Sequence, residues 1–283
     1  MLGTIILCYF WVKIFNKSEM KKASSIFLII SVFFAAIFYS CNQRSDTKII
    51  AHRGASGYVT ENTIPAVEKA VEMNSDAVEV DIWRTADDSL IVFHDRNTAR
   101  LAGDSLVIPE SKYGELRALE LSGGTYIPSL REVLEILPQD TKIFIELKNC
   151  WEEGRAGEVF PMLENLLQET GTMEQATLIS FNIEKLVEAK EYVPDIPLYW
   201  LTSEQQPVSG LINKVINADI SGLDVHHSLI SKELMNKARS NNMDVYVWTV
   251  NDPERAAELA KEYGVDGITT DYPDRIMEAV SAE

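Results

Sequence analysis

The chain has 283 residues, of which 46% are hydrophobic, and a formal net charge of -17. This hydrophobic content is typical of a globular protein with a full core, and the length allows one large α/β domain or two small ones. The first 41 residues hold four lysines and one acid, so the rest of the chain is even more acidic. An acidic domain repels polyanions, which argues against nucleic acid as a partner.

Residues 1–41 are predicted to be a targeting segment and not part of the fold. Lys21 and Lys22 precede an apolar run at residues 26–38, the arrangement of a secretory signal. Cys41 follows a small residue, which resembles the lipobox of bacterial lipoproteins. An uncleaved apolar anchor at the N-terminus is the alternative.

The targeting segment sets the expected domain organisation. Residues 42–46 are short and polar, and we predict that they form a tether. Residues 47–283 are expected to form one exported domain, held at the membrane through a lipid on Cys41 or through the apolar segment. The expected location is the bacterial cell envelope, on the periplasmic or the surface face.

Segments typical of β-strands and of amphipathic helices alternate after the tether. The predicted strands are Thr47–His52, Ala77–Trp83, Lys142–Lys148, Ala176–Phe181, Ile196–Leu201, Ile220–Val225, Asp244–Val250 and Asp266–Thr270. Predicted helices between them include Ile64–Asn74, Ser129–Leu137, Gly157–Gln168, Ile183–Tyr192, Ser231–Ser240 and Pro253–Tyr263. Alternation of this kind implies a parallel sheet with right-handed crossovers. Eight strands predict a single closed (β/α)8 barrel of the TIM type.

Two segments depart from the alternation. Leu90–His94 has the pattern of a strand, but it follows the preceding strand too closely for a parallel crossover, which needs roughly a dozen residues. We predict a β-hairpin at the second strand, and folding about Asp87 places His94 opposite Val80. Residues 96–128 contain no predicted barrel element, so we expect a small insertion over the barrel mouth.

Three carboxylates are expected on the inner faces of two strands. Side chains alternate along a strand, so Glu79 and Asp81 point the same way, and Glu146 lies on the next parallel strand. At the carboxyl ends of barrel strands they would form an oxygen-rich site for one divalent cation, Mg2+ or Ca2+. The same acids could instead form buried ion pairs with Arg53 and Lys148.

Two histidines are expected near this cluster. His52 ends the first strand, and the hairpin brings His94 back toward the carboxylates. An ordinary histidine pKa of about 6.5 lets such a pair divide the base and acid roles near neutral pH. Arg53 offers a planar fork that suits a phosphate, and Lys148 could stabilise developing oxyanion charge.

Seven blocks of residues occur in order along the chain: His52-Arg53-Gly54, Glu61-Asn62-Thr63, Glu79-Val80-Asp81, His94-Asp95, Ile145-Glu146-Leu147-Lys148, Trp248-Thr249-Val250-Asn251 and Gly264–Pro273. Together they resemble the glycerophosphodiester phosphodiesterase family. The resemblance runs from Ile49 to about Ile276, so it covers nearly all of the expected domain. It implies a (β/α)8 barrel with a small insertion after its second strand.

The resemblance also implies an activity, the metal-dependent hydrolysis of small glycerophosphodiesters to sn-glycerol 3-phosphate and an alcohol. It assigns Glu79, Asp81 and Glu146 to the cation. His52 and His94 would be the catalytic pair, and we expect His52 to accept the proton and His94 to donate it. The nucleophile would be the 2-hydroxyl of the glycerol or a water molecule.

The resemblance implies further roles around this centre. Arg53 and Lys148 would neutralise charge on the phosphoryl oxygens, and Trp248 and Phe181 would pack on the glycerol. The two aromatic residues could instead belong to the barrel core. Glu61 is expected to orient His52 or Arg53, with a place as a further metal ligand as the alternative.

Other functions remain open on the sequence. A barrel phosphodiesterase acting on lipid headgroups, of the sphingomyelinase D or phospholipase C type, would use similar residues, and a membrane tether would suit it. A non-catalytic lipoprotein that binds phosphodiesters is a second alternative, and a structural envelope protein is a third. The sequence leaves the alcohol group, the choice between Ca2+ and Mg2+ and the oligomeric state undetermined.

Overall fold

The structure is a computed structural model that describes residues 47–148 and 156–282. The predicted targeting segment and tether, residues 1–46, lie outside the described residues, and so does the candidate lipidation site Cys41. Within the described part of the chain, no helix is long and apolar enough to cross a membrane.

The described strands, in chain order, are β1 Lys48–Ala51, β2 Ala77–Arg84, β3 Leu90–Val92, β4 Glu120–Leu121, β5 Thr125–Tyr126, β6 Lys142–Leu147, β7 Ala176–Ser180, β8 Leu198–Thr202, β9 Gly222–His226, β10 Asp244–Trp248 and β11 Gly267–Thr270. Strands β1, β2 and β6 to β11 pair in this order, each parallel to the next, and β11 pairs with β1. The predicted closed (β/α)8 barrel is therefore confirmed.

The described α-helices are α1 Ile64–Glu72, α2 Ala99–Ala102, α3 Tyr113–Arg117, α4 Leu130–Glu135, α5 Ala156–Thr170, α6 Ile183–Lys190, α7 Val208–Ala218, α8 Lys232–Ser240, α9 Pro253–Glu258 and α10 Pro273–Ser281. Several begin at a capping side chain, as Ser129 does for α4 and Asp252 for α9. Such caps satisfy amides that the first helical turn leaves free. The crossover helices pack on the outward side chains of the strands, such as Val78, Val80 and Ile82.

A separate cluster fills the lower part of the barrel interior. The rings of Phe144, Tyr199 and Tyr246 contact one another, with centroids 4.8 Å apart for the two tyrosines and 5.1 Å for Phe144 and Tyr246. Each such ring contributes roughly 1.5–3 kcal/mol when it is fully buried. Because this cluster fills the base of the barrel, the polar inward side chains lie above it, at the carboxyl ends of the strands.

The predicted hairpin is present with the predicted register. Strands β2 and β3 are antiparallel, with Ile82 opposite Val92 and Arg84 opposite Leu90. Extending this pairing places His94 opposite Val80, as expected from the sequence. On one edge β2 pairs with β6, and on the other it pairs first with β1 and then with β3. The hairpin thus continues the barrel wall upward beside the mouth.

Residues 96–128 contain α2, α3, a single 3-10 turn and the short hairpin of β4 and β5. None of these pairs with a barrel strand, since β4 and β5 form a sheet of their own. Backbone hydrogen bonds join the segment internally, as from Ser122 to Leu101 and from Ile108 to Arg96. The segment is therefore a folded unit, and its α2 reaches the barrel mouth.

Candidate active site

Three carboxylates meet at the carboxyl end of the barrel. Glu79 and Asp81 lie on the inner face of β2, and the sheet register pairs Asp81 with Glu146 of β6. One oxygen from each carboxylate lies within 4.8 Å of the others, and all three residues are buried. Buried like charges are costly unless positive charge lies close by.

Two cations supply part of that charge. Lys148 Nζ lies 2.9 Å from Asp81 Oδ1 and 2.7 Å from Glu146 Oε1. Arg53 Nε lies 3.3 Å from Asp81 Oδ2. Glu79 has no ion pair within the described part of the chain, and its Oε2 accepts a 2.9 Å hydrogen bond from the backbone amide of Arg53. The ion pairs that the sequence left as an alternative are present, but they centre on Asp81.

The pKa values of the carboxyl groups reflect this uneven pairing. Burial alone would raise the pKa of Asp81, but Lys148 and Arg53 outweigh it and hold that pKa far below its usual range. Burial, Asp81 and Glu146 raise the pKa of Glu79 well above its usual value. Burial and Asp81 raise the pKa of Glu146 to about 8. Glu146 therefore favours the protonated form near neutral pH unless further positive charge is bound, and the pKa of Glu79 is shifted in the same direction.

A divalent cation fits this donor set. Carboxylate oxygens are the ligands that Mg2+ and Ca2+ prefer, and metal binding releases protons from groups with raised pKa. Glu79, Asp81 and Glu146 offer three such oxygens within the span of one ion. The buried triad can hold a divalent metal, with Lys148 and Arg53 left to balance the remaining negative charge.

Asn62 fixes the orientation of the central carboxylate. Its Nδ2 donates a 2.7 Å hydrogen bond to Asp81 Oδ2, and its Oδ1 accepts one of 3.2 Å from the backbone amide of Asp81. The residue is fully buried and has a φ of 56°, a left-handed conformation that asparagine tolerates better than most residues. Asn62 belongs to one of the blocks that carry the family resemblance, but the sequence analysis gave it no role.

His52 is oriented by Asp271. The register of β1 and β11 pairs Ala51 with Thr270, so the residues that follow them, His52 and Asp271, lie side by side at the barrel mouth. His52 Nδ1 lies 2.7 Å from Asp271 Oδ1. The pKa of Asp271 falls to about 2, because hydrogen bonds from His52, Asn251 and Ser56 outweigh its burial. An ionised carboxylate can only accept, so Nδ1 carries the proton and Nε2 is left free for chemistry.

His94 has the same arrangement with its neighbour Asp95. Its Nδ1 lies 2.7 Å from Asp95 Oδ1, which again leaves Nε2 free. Burial lowers the pKa of His94, and the nearby charges of Lys148 and Arg53 lower it further, against the opposing effect of Asp81. The imidazole therefore favours its neutral form.

The backbone of Arg53 and Gly54 turns sharply at the end of β1. Both residues have positive φ, 56° and 77°, and a Cβ on Gly54 would lie 2.5 Å from the backbone of Ala66. Only glycine fits there. The turn directs the Arg53 amide at Glu79 and its guanidinium at Asp81 and Glu61, with 2.8 Å between Arg53 NH1 and Glu61 Oε1. The sequence left open whether Glu61 orients His52 or Arg53 or binds the metal, and in the structure Glu61 contacts Arg53.

Arg100, from α2 of the insertion, links the two halves of the site. Its Nε donates a 2.6 Å hydrogen bond to Asp95 Oδ2, and its NH1 and NH2 donate to both oxygens of Glu61 at 3.0 and 2.7 Å. One guanidinium thus holds the carboxylate that orients His94 and the carboxylate that orients Arg53. Bidentate contacts of this kind fix geometry as well as charge.

Replacing Arg100 with alanine is expected to lower kcat on a glycerophosphodiester by roughly tenfold, the effect of losing about 1.4 kcal/mol of positioning. Arg100→Lys should not restore it, because an ammonium cannot contact both carboxylates in a fork. Arg96→Ala is the matched control, since Arg96 is exposed and pairs with Glu110 inside the insertion. Steady-state kinetics would refute a positioning role for Arg100 if both alanine variants behaved alike.

A cavity of about 130 Å³ opens at the barrel mouth. One side is polar and carries the two histidines, Glu79, Glu146, Arg53 and Lys148. The other side carries Ile179, Phe181, Leu201, Asp224 and Trp248, with Thr249 and Thr269. Phe181 and Trp248 meet edge to face with their ring centroids 5.4 Å apart, and Phe181 is 49% exposed at the rim. Trp248 therefore lines the cavity and is not part of a closed core.

Two histidines beside a carboxylate triad that can hold a divalent cation, at the mouth of a (β/α)8 barrel, fit a hydrolase of phosphate esters. Comparison with known proteins narrows this class. The chain matches the glycerophosphoryl diester phosphodiesterase family over residues 52–275. A glycerophosphodiester phosphodiesterase from Bacillus altitudinis is 30% identical over 244 residues, covering 82% of this chain and 97% of the relative.

Two further relatives extend the comparison. A phosphodiesterase from Oleispira antarctica, solved in complex with the product sn-glycerol-3-phosphate, has a TM-score of 0.76 and 27% identity, covering 83% of this chain and 97% of that one. The human lysophospholipase D GDPD1 is 25% identical over 284 residues, covering 83% and 87%. The chain belongs to the glycerophosphoryl diester phosphodiesterase family and is a phosphoric diester hydrolase that acts on glycerophosphodiesters.

The sequence analysis gave no role to several residues of the site, among them Asn62, Asp95, Arg100, Asp224 and Asp271. Asp271 could have been found by following the closure of the barrel, because pairing the last strand with the first brings it beside His52. Asp95 follows His94 directly, which was a signal that went unused. Arg100 and Asp224 carried no sequence signal that we recognise.

Proposed function

We propose that the protein hydrolyses glycerophosphodiesters with the help of one divalent cation, Mg2+ or Ca2+, through acid–base catalysis by His52 and His94. The observation that carries this proposal is the shared cavity. Two histidines with Nε2 free line the same space as the carboxylates Glu79 and Glu146. Glu79, Asp81 and Glu146 would hold the cation, which when bound stabilises negative charge on the phosphoryl oxygens.

The side chains of this chain divide the remaining work. Arg53 and Lys148 line the cavity and would contact the phosphoryl oxygens, so that their charge draws the phosphate to the polar side. One histidine would take the proton from the attacking hydroxyl at its Nε2, and the other would donate a proton to the leaving alkoxide. The attacking hydroxyl belongs to the glycerol C2 or to water.

The environment of His94 bears on the order of proton transfers. From the sequence we expected His52 to accept and His94 to donate. A neutral imidazole is ready to accept a proton, and burial with the charges of Lys148 and Arg53 lowers the pKa of His94 in that direction. This supports the opposite order, with His94 as the acceptor, and we adopt it here.

The apolar side of the cavity suits the carbon backbone of the glycerol. Trp248 and Phe181 present ring faces and edges there, close to the side chains of Leu201 and Ile179. Packing on these rings would hold the glycerol while its phosphate lies on Arg53 and Lys148. Glu61 would keep Arg53 in place through its 2.8 Å contact.

A second candidate is the release of headgroups from lysophospholipids. The human relative named lysophospholipase D favours it, as does the exposed Phe181 at the rim, which could contact an acyl chain. The two candidates share their chemistry and differ in whether the terminal glycerol oxygen carries an acyl chain.

The test is release of sn-glycerol 3-phosphate from glycerophosphocholine by the protein starting at Asn42. Chelator-treated protein should be inactive, and added Mg2+ or Ca2+ should restore activity. Lysophosphatidylcholine is assayed in parallel for release of choline. A folded, metal-bound protein that cleaves only the lysolipid would favour the second candidate, and one that cleaves neither would overturn both.

We also propose that the protein is exported and tethered to the membrane of a bacterial cell envelope as a lipoprotein. The basic and apolar sequence before Cys41 supports this. Metabolic labelling with a fatty-acid analogue should mark the full chain and should fail on Cys41→Ser. Labelling that persists in the variant would refute lipidation at this residue.

A further inference from the structure

One buried carboxyl in the cavity takes no part in the proposed reaction. Asp224 lies on the inner face of β9, beside Leu201 of β8 and Tyr246 of β10 in the sheet register. It is 1% exposed. Considering residues 47–148 and 156–282, its Oδ1 has no hydrogen-bond partner. A buried polar atom without a partner costs stability and calls for an explanation, such as a bound ligand.

Asp224 is placed to meet a ligand. It lines the cavity with Ile179, Leu201 and Trp248. The order of the barrel strands places β9 across from β2, the strand that carries Glu79 and Asp81. The Trp248 indole donates a 3.1 Å hydrogen bond to the backbone carbonyl of Asp224, which ties the aromatic wall to this point of β9. A single carboxyl in a mostly apolar wall provides one directional contact, the usual way a pocket fixes the orientation of its ligand.

The protonation of Asp224 suits a hydroxyl partner. Burial is the main cause that raises the pKa of Asp224 to about 8, and Glu146 adds to the shift when it is ionised. Near neutral pH the group is largely a neutral carboxylic acid, which can donate one hydrogen bond and accept another. A hydroxyl group has the same two capacities, so the pair is complementary, whereas a cationic group would need an ionised partner.

We propose that Asp224 binds the terminal hydroxyl of the glycerol moiety of the substrate and so selects free glycerophosphodiesters. This rests on the proposed function. With the phosphate on Arg53 and Lys148 and the glycerol C2 beside a histidine, the terminal hydroxyl lies farthest from the phosphate. It then points to the opposite wall, where the buried Oδ1 of Asp224 has no hydrogen-bond partner in the described part of the chain.

A consequence is discrimination against acylated substrates. An acyl chain on the terminal oxygen removes the hydrogen that the site would accept and would have to fit into a buried apolar wall. Sites built around a hydroxyl reject analogues that lack it, because the buried polar group is left unpaired. Asp224 would therefore disfavour lysophospholipids.

The test compares glycerophosphocholine with 2-hydroxypropyl phosphocholine, which lacks only the terminal hydroxyl. In the wild type, kcat/KM should be at least about tenfold lower for the analogue, the effect of one hydrogen bond in a buried site. Asp224→Val, which replaces the carboxyl with a compact apolar side chain, should remove this difference, and Asp224→Asn should largely keep it. Ser75→Ala is the matched control, because its buried hydroxyl also has no hydrogen-bond partner among the residues that the structure describes, and Ser75 does not line the cavity.

Binding measurements test this inference independently of the proposed reaction, because they do not require turnover. Calorimetry with sn-glycerol 3-phosphate and 2-hydroxypropyl phosphate should show the same discrimination, whether or not either diester is cleaved. Equal affinities in the wild type would overturn the proposal, as would discrimination that survives in Asp224→Val. If that variant unfolds in a thermal melt, Asp224→Ala takes its place under the same criteria. Discrimination in binding without turnover would support the inference while the proposed reaction fails.

Discussion

Asparagine in place of Asp81 should lower kcat/KM on glycerophosphocholine by at least about 10³-fold, because a bound divalent cation supplies several kcal/mol of charge stabilisation. Asp81 is the carboxylate of the triad that contacts both Lys148 and Arg53, and these two cations hold its pKa far below the usual range. The substitution also leaves Lys148 and Arg53 beside a neutral amide. Both side chains then lose the ion pair with Asp81 that keeps them in position. Divalent-cation affinity, measured by calorimetry on chelator-treated protein, should fall with the activity.

The matched control for this substitution is Asp244→Asn. Asp244 also lies on a barrel strand, β10, but at its start, where it accepts a hydrogen bond from Tyr199 at 2.7 Å. That position is at the end of the barrel opposite the carboxylate triad. The control should retain activity and cation affinity even if its melting temperature falls. Undiminished cation affinity in Asp81→Asn would show that the triad is not the metal site.

Most of the fold could be predicted because the strand pattern and the geometry of the barrel agree. The hairpin register followed from the short connection before Leu90, and it placed His94 without any tertiary information. Strand ends were less predictable. The strand expected from Ile196 begins at Leu198 instead, since Pro197 has no amide to donate to its neighbour.

The site was predictable only in part, for a physical reason. Residues on one strand, such as Glu79 and Asp81, share a face by the period of the strand alone. Arg100 reaches the site through the packing of the insertion, and no periodicity describes that packing. Asp224 resembles any other acid in the sequence. It becomes unusual only in the structure, where its buried Oδ1 has no hydrogen-bond partner among residues 47–148 and 156–282.

Alanine in place of either His52 or His94 should lower kcat by roughly 10²–10⁴-fold, the usual contribution of one positioned acid or base. The double variant should have a kcat only slightly below that of the less active single variant, because the effects of groups that act in the same proton transfer are not additive. His227→Ala controls for loss of an imidazole at the barrel mouth. His227 follows β9 and does not line the cavity among the described residues.

The pH dependence of the wild type should separate the two orders of proton transfer. With His94 as the acceptor, the active form is neutral and exists above its pKa, which burial and the charges of Lys148 and Arg53 lower. Activity should then persist below pH ~6.5, the ordinary histidine pKa, and fall only in more acidic buffer. With His94 as the donor, activity would instead disappear as the pH rises through that lowered pKa. The pH profile of the residual activity of His94→Ala should lack the limb that the titration of His94 causes in the wild type, because that imidazole has been removed.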